Sequence, residues 1–242
     1  RELKRSYTTI LNLNDLSKVQ PISSIEIPDA QILDEGNSRY LLLSTDYGKR
    51  IASQWLAATP RTYYIYDTQT QTKTKIITDL FGNVYVSPKA NYIVYFDRLK
   101  AQWFSYDIAK KQTKNLTQNI KVSFVDEEND MPTEARQYGL GYFDETDTKV
   151  YIYDRYDIWQ FDLTGAAAPK IITNQFGRKN KLRFRIPKLH NEFKTVGTEI
   201  LVSSFNETNK AKSLYKMENA NTVANPVFVI EEAVKGYKKK KK

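Results

Sequence analysis

The sequence predicts an all-β protein, a partial β-propeller of four-stranded antiparallel blades. Three observations predict it. Short runs rich in Tyr, Ile, Val, Phe and Thr recur along the 242 residues, punctuated by Asp, Asn, Gly, Pro and Lys, which is strand-and-turn texture. Helical periodicity is nearly absent. And one unit repeats: an aromatic strand closing on Asp, a polar turn, then an aliphatic strand closing on Thr. Tyr64-Ile65-Tyr66-Asp67 leads to Ile76-Ile77-Thr78, Phe104-Ser105-Tyr106-Asp107 to Asn115-Leu116-Thr117, and Trp159-Gln160-Phe161-Asp162 to Ile171-Ile172-Thr173. The Asp residues lie 40 and then 55 residues apart. A fainter fourth copy, Leu214-Tyr215-Lys216-Met217, follows after another 55. A repeat of roughly 40–50 residues with four strands is the signature of a propeller blade.

The elements follow in order. Strands are expected at 40–44, 62–67, 75–78, 84–87, 92–97, 102–107, 113–117, 149–154, 158–162, 170–173, 199–204 and 213–217. Turns are expected at Asp67-Thr68-Gln69-Thr70, Pro88-Lys89-Ala90-Asn91 and Leu163-Thr164-Gly165, where Asp, Pro, Asn and Gly favour reversal. The Asp that closes each third strand is placed to cap its turn through its own side chain. Residues 46–58, with Ile51, Trp55 and Ala58 on one face, are the single helical candidate; 34–39 and 131–141 read as loops. Trp103 and Trp159 fall in equivalent third strands and are expected in the packed core between blades. The repeat organises residues 1–237 as a partial propeller of four to five blades, clearest at 82–117 and 142–173.

Composition narrows the function. The net charge is +9, but five of those charges are the run Lys238–Lys242, leaving +4 for the other 237 residues. Such a run repels itself and reads as a disordered tail. No basic helix or RNA-binding aromatic signature accompanies it, so nucleic acid is not an expected partner. Aromatic residues make up 13% of the chain, enough to build a core. No apolar run approaches the ~20 residues of a membrane helix. Cysteine is absent, which excludes disulfides, thiolate metal sites and a Cys nucleophile. His190 is the only histidine, which excludes His-rich metal centres. The first residue is Arg1, so the chain reads as a fragment or processed product.

Two stretches carry a family resemblance. Ser87-Pro88-Lys89-Ala90-Asn91-Tyr92-Ile93-Val94-Tyr95 resembles the Ser-Pro-Asp-Gly strand signature of TolB-type and prolyl oligopeptidase-type propellers, with Lys-Ala in place of Asp-Gly. Residues 122–162 resemble the propellers of Bacteroidetes peptidases of the prolyl oligopeptidase family. The matching pieces are Asp126-Glu127-Glu128-Asn129-Asp130, Tyr138-Gly139, and Tyr151 to Gln160 with its Asp154-Arg155-Tyr156-Asp157 turn. Gly177-Arg178-Lys179-Asn180 further along matches as well. The likeness spans roughly residues 35–217. It implies a seven- or eight-bladed propeller capping an α/β-hydrolase domain, of which this chain supplies part of the propeller. It also implies a periplasmic or secreted location.

No catalytic residue is expected within the chain. An α/β-hydrolase nucleophile sits in a Gly-x-Ser-x-Gly elbow, and no such pentapeptide occurs. His190 therefore reads as a structural or surface histidine. Gly139-Leu140-Gly141 lacks the third glycine of a phosphate-binding loop. The acidic run 126–130 lacks the alternating oxygens and glycine of a calcium loop, so neither metal nor cofactor is expected. The candidate substrate-binding residues are Asp126, Glu127, Glu128 and Arg178. Four carboxylates within five residues suit a cation such as a peptide's free amino terminus, the role that a Glu pair plays in dipeptidyl-peptidase members of the family. Otherwise the run is a solvated loop, or one fixed by Arg136 or Arg178. The Asp154–Asp157 turn reads as a hairpin holding an Asp–Arg pair. Residues 177–185 alternate around Leu182 and Phe184, giving a strand with one basic face that could meet the acidic loop or a substrate carboxylate.

The expected function is thus a non-catalytic propeller domain of a prolyl oligopeptidase-like serine peptidase, gating or positioning peptide substrates for an α/β-hydrolase partner domain. The alternative is a stand-alone TolB-like or lectin-like propeller that binds and scaffolds partners.

Overall fold

The structure is a computed structural model that describes residues 6–49, 51, 54–55, 58–188, 195–197, 199–218 and 228–230. His190, the lysine run 238–242 and much of the 46–58 helix candidate lie outside these residues. What is described of 46–58 is turn, at 47–49 and 55, with isolated 3-10 geometry. The chain divides into two compact units, Arg1–Asn115 and Leu116–Lys242.

The first unit opens with a two-stranded hairpin, β1 (Thr9–Asn12) and β2 (Asp15–Pro21). Two four-stranded antiparallel meanders follow. The first is β3 (Asp29–Ile32), β4 (Tyr40–Thr45), β5 (Arg61–Asp67) and β6 (Thr72–Leu80); the second is β7 (Gly82–Val86), β8 (Tyr92–Asp97), β9 (Gln102–Asp107) and β10 (Gln112–Asn115). Leu42 and Ile65 of the first sheet pack against Ile93 and Tyr106 of the second in one buried cluster. The opposite face of the first sheet, through Leu41, Leu43 and Tyr66, packs on Ile22 and Ile10 of the hairpin region. The hairpin and β3 were not expected from the sequence, because their residues are mostly exposed and mixed in character.

The second unit contains β11 (Leu140–Asp144), β12 (Lys149–Tyr153), β13 (Ile158–Asp162) and β14 (Lys170–Ile171), then a short helix, α1 (Phe176–Asn180). After the helix come β15 (Leu182–Arg185), β16 (Thr195–Val196), β17 (Glu199–Asn206), β18 (Lys212–Glu218) and β19 (Phe228–Ile230). One sheet runs β14-β13-β12-β11, the other β15-β17-β18-β19, and all their pairings are antiparallel. One departure from four strands occurs. β16 adds a fifth strand beside β11, and this pairing is parallel. The two sheets bury Tyr151, Tyr153 and Ile158 against Phe184, Val202, Tyr215 and Met217. Each large apolar side chain so buried contributes about 1.5–3 kcal/mol, which is what sheets too small to stand alone need from their neighbours. Four consecutive meanders of four antiparallel strands, packed in pairs within each unit and one of them extended by the parallel β16, make this an all-β chain of propeller-type blades.

The repeated Asp does cap its turn. Asp67 Oδ1 accepts the backbone N–H of Gln69 at 3.0 Å, Asp107 Oδ1 that of Lys110 at 2.8 Å, and Asp162 Oδ1 that of Thr164 at 2.8 Å. Each closes the third strand of its sheet. In the Pro88–Asn91 turn, Ala90 stands where the motif usually has glycine and takes φ 56°, and Ser87 Oγ accepts the Tyr92 N–H at 2.9 Å. Trp103 and Trp159 are each the second residue of a third strand. Trp103 is fully buried against Phe96, while Trp159 packs on Phe124 and Phe161 and donates its Nε1–H to Asp154 Oδ2 at 2.9 Å.

Candidate functional site

The acidic run sits on an ordered hairpin of the second unit. A bridge between Val125 and Gln137 closes it, reinforced by Asp126 N–H donating to the Arg136 carbonyl at 2.8 Å. Tyr138 docks back through its own N–H to the Phe124 carbonyl at 2.9 Å. Its hydroxyl accepts the Glu127 N–H at 3.0 Å, and burial pushes that phenol up from the usual tyrosine range. Asp126 Oδ1 accepts the Glu128 N–H at 3.1 Å, while Asn129 Nδ2 spans the Met131 and Thr133 carbonyls. All five residues from Asp126 to Asp130 are exposed.

The carboxylates part company at this tip. Glu128 Oε1 accepts from the Arg155 guanidinium at 2.6 Å. Asp126 turns inward to cap its own loop. The Glu127 carboxylate has no hydrogen bond or ion pair among the described residues. The side chains that hold the loop are thus those of Arg155 and Tyr138, rather than the guanidinium groups of Arg136 or Arg178.

Arg155 is the hub that sequence reasoning missed. It lies in the turn between β12 and β13, closed by Asp154 N–H donating to the Asp157 carbonyl at 3.1 Å. The Asp–Arg pair expected within this turn is not made. Asp154 is fully buried and accepts the N–H groups of Tyr156 and Asp157, both at 2.7 Å, plus the Trp159 indole. Its ion-pair partner is Arg178, at 3.4 Å. Arg155 instead reaches outward to Glu128 and to Glu207 at 3.1 Å. Glu207, in the β17–β18 turn, also accepts the Tyr156 hydroxyl at 3.0 Å and pairs with Arg183 at 3.4 Å. Burial works to raise the Glu207 carboxyl. The bonds from Arg155 and Tyr156, with the charges of Arg155 and Arg183, outweigh burial and hold it below the usual glutamate range. No local pattern marks Glu207 in the sequence, because its role depends on β17 lying beside β15.

Arg178 enters the same cluster. Its guanidinium lies 5.3 Å from the centre of the Tyr156 ring, and that of Arg155 lies 5.1 Å from it. Of the four sequence candidates, the structure therefore gathers Glu128 and Arg178 around Arg155 and Tyr156, with Glu127 and Asp126 at the hairpin tip above Tyr138. Beneath them Asp157, also buried, accepts Thr173 Oγ1–H at 2.6 Å and the N–H groups of Gly177 and Arg178 at 3.0 and 3.1 Å. Burial nonetheless pushes its carboxyl up, and the Asp154 charge adds to the effect. The Asp-Arg-Tyr-Asp turn thus anchors inward through both Asp residues and presents Arg155 and Tyr156 outward. The arrangement offers fixed carboxylates and guanidinium groups for recognition. Among the described residues no group of three or more His, Asp or Glu is placed to hold a metal ion, and no helix is long and apolar enough to cross a membrane.

No family model matches the chain, and no curated protein does. Solved structures do. TolB from Acinetobacter baumannii is 14% identical with a TM-score of 0.42; the match covers 90% of this chain and 47% of that one. Porphyromonas gingivalis dipeptidyl peptidase 4 is 12% identical with a TM-score of 0.48, over 89% of this chain and 36% of that one. The β-propeller domain of the Trilobed protease from Pyrococcus furiosus is 11% identical with a TM-score of 0.45, over 84% and 57%. The chain therefore spans between about a third and three fifths of these proteins, and no residue role passes from them to it.

Proposed function

We propose that the chain is a non-catalytic β-propeller domain of a prolyl oligopeptidase-like serine peptidase, and that it positions peptide substrates by their free amino terminus. Residues 1–237 form the propeller region, its partner is the α/β-hydrolase domain of the same parent protein, and the location is periplasmic or secreted. The observation that carries the reading is the state of the acidic hairpin. Its backbone is fixed by Tyr138, its Glu128 is neutralised by Arg155, and the adjacent Glu127 is exposed and has no partner among the described residues. A carboxylate held on an ordered loop is preorganised for an ammonium group, and a charge-assisted hydrogen bond there is worth about 1.5–3 kcal/mol.

Calorimetric titration of the 242-residue chain with a free-amine tripeptide amide and with its N-acetyl form tests this. The free amine should bind roughly tenfold tighter, and Glu127→Gln should abolish the difference. Equal affinities, absence of binding, or an undiminished preference in Glu127→Gln would overturn the reading.

A further inference from the structure

The outward face of the sheet β15-β17-β18 carries a second site. Strand register places Arg183, Phe205 and Lys212 side by side in one cross-strand row, and Arg185, Ser203 and Leu214 in the next. These six residues line an open cavity of about 500 Å³. Its composition sets it apart from the faces that sheets bury against one another. The other side of the same strands presents Phe184, Val202, Tyr215 and Met217 to a neighbouring sheet. This side presents Arg183, Arg185 and Lys212 around Phe205 and Leu214, followed along the strands by Leu201 and the Lys216–Glu199 ion pair.

The charges are under-compensated. Glu207 is the carboxylate that reaches this row, pairing with Arg183 Nε, and Arg155 shares it. Lys212 is exposed and has no carboxylate partner among the described residues. Arg185 is half-buried and also has none. It donates to the carbonyls of Phe184 at 2.6 Å and Arg155 at 3.3 Å, and lies 4.6 Å from the centre of the Tyr153 ring. Burial works against its protonated form and outweighs the nearby Tyr153 and Asp154, which favour it. Lys212, without a carboxylate partner among the described residues, and Arg183, sharing Glu207 with Arg155, leave this face short of negative charge and favour an anion from outside. The apolar floor selects the rest of the ligand: Arg183 and Lys210 lie 4.8 and 5.8 Å from the centre of the Phe205 ring, and an inorganic anion would leave Leu214 beside it uncovered.

We propose that this cavity binds an organic carboxylate bearing an apolar group, such as the C-terminus of a peptide with a large apolar last residue. The carboxylate meets Arg183 and Lys212, and the apolar group covers Phe205 and Leu214. The occupant differs from the amine ligand of the acidic hairpin, so a probe with no free amine separates the two.

N-acetyl-Leu-Phe as its free acid, its C-terminal amide and inorganic phosphate are titrated into the 242-residue chain while amide shifts are followed by NMR. The free acid should bind roughly tenfold tighter than the amide, shift Ser203, Phe205 and Lys212, and weaken as salt rises. Lys212→Gln, an exposed change that leaves the fold intact, should weaken the acid several-fold and leave the amide unaffected. Phe205→Leu should weaken acid and amide alike. Equal binding of acid and amide, displacement of the acid by millimolar phosphate, shifts confined to other sheets, or no binding would each overturn the proposal.

Discussion

Gly177→Ala should destabilise the protein, although helix propensity alone argues the opposite. Gly177 lies in α1, where alanine is ordinarily favoured by about 1 kcal/mol. A Cβ at this position would stand 2.7 Å from the Leu182 carbonyl oxygen, 2.7 Å from that of Tyr156 and 2.8 Å from Asp157 Oδ1, where ordinary contact begins at 3.4 Å. Something must yield by roughly 0.7 Å, and none of the three oxygens is free to. The Tyr156 carbonyl accepts the Phe184 N–H at 2.8 Å, Leu182 sits in the β15–β17 ladder, and Asp157 holds Thr173 and Gly177 itself. Moving α1 away would stretch the two N–H bonds that compensate the buried Asp157 carboxylate. Overpacking of this kind costs about 1–3 kcal/mol, which exceeds the propensity gain. Urea denaturation followed by circular dichroism measures it, with an unchanged slope showing that stability alone has moved. A stability equal to or above that of the wild type would refute the close packing of α1 on the Asp154–Asp157 turn.

Trp159→Ala should cost about 3–5 kcal/mol in chemical denaturation, because the ring is buried between Phe124 and Phe161; a loss under about 1 kcal/mol would mean an exposed ring. The Arg39 hydrogen bonds bring the Asp67 carboxyl down to about 2, so its contribution is present above the unfolded value near 4 and is lost as pH falls toward 2. The pair is solvent-screened, so an NMR titration of Asp67 reads it best; Arg39→Gln should return the midpoint toward 4. The purified chain should neither react stoichiometrically with a serine-directed fluorophosphonate nor cleave peptides; labelling with turnover would contradict the absence of a nucleophile elbow.

The strands most legible in the sequence were those buried on a continuous apolar run or closed by the repeated Asp. β8, β9 and β13 match their expected limits, since Tyr92–Phe96 is buried throughout and Asp107 and Asp162 cap the turns that end their strands. β11 was half lost to an expected loop at 131–141, because Leu140-Gly141 carries little strand character and its place depends on pairing with β12. β16 is two residues long and gains its identity solely from lying beside β11. The site divides in the same way. The acidic run and Arg178 stand out by composition, whereas Arg155 and Glu207 meet across 52 residues and only tertiary packing joins them. Adjacency in the sequence favours an Asp–Arg pair within the turn; burial of Asp154 beneath Trp159 and Arg178 leaves Arg155 facing outward instead.

The central claim, that a carboxylate at the acidic hairpin receives a peptide's amino terminus, is tested most directly by the protonation of that amine in the bound state. The α-amine of a free peptide titrates near 7.7–8.0. A group bound roughly tenfold better when charged must titrate about one pH unit higher in the complex. An NMR titration of a peptide carrying a labelled N-terminal residue, bound to the 242-residue chain, should show that rise, and Glu127→Gln should remove it. An amine that titrates in the complex as it does in water, or lower, would contradict the account.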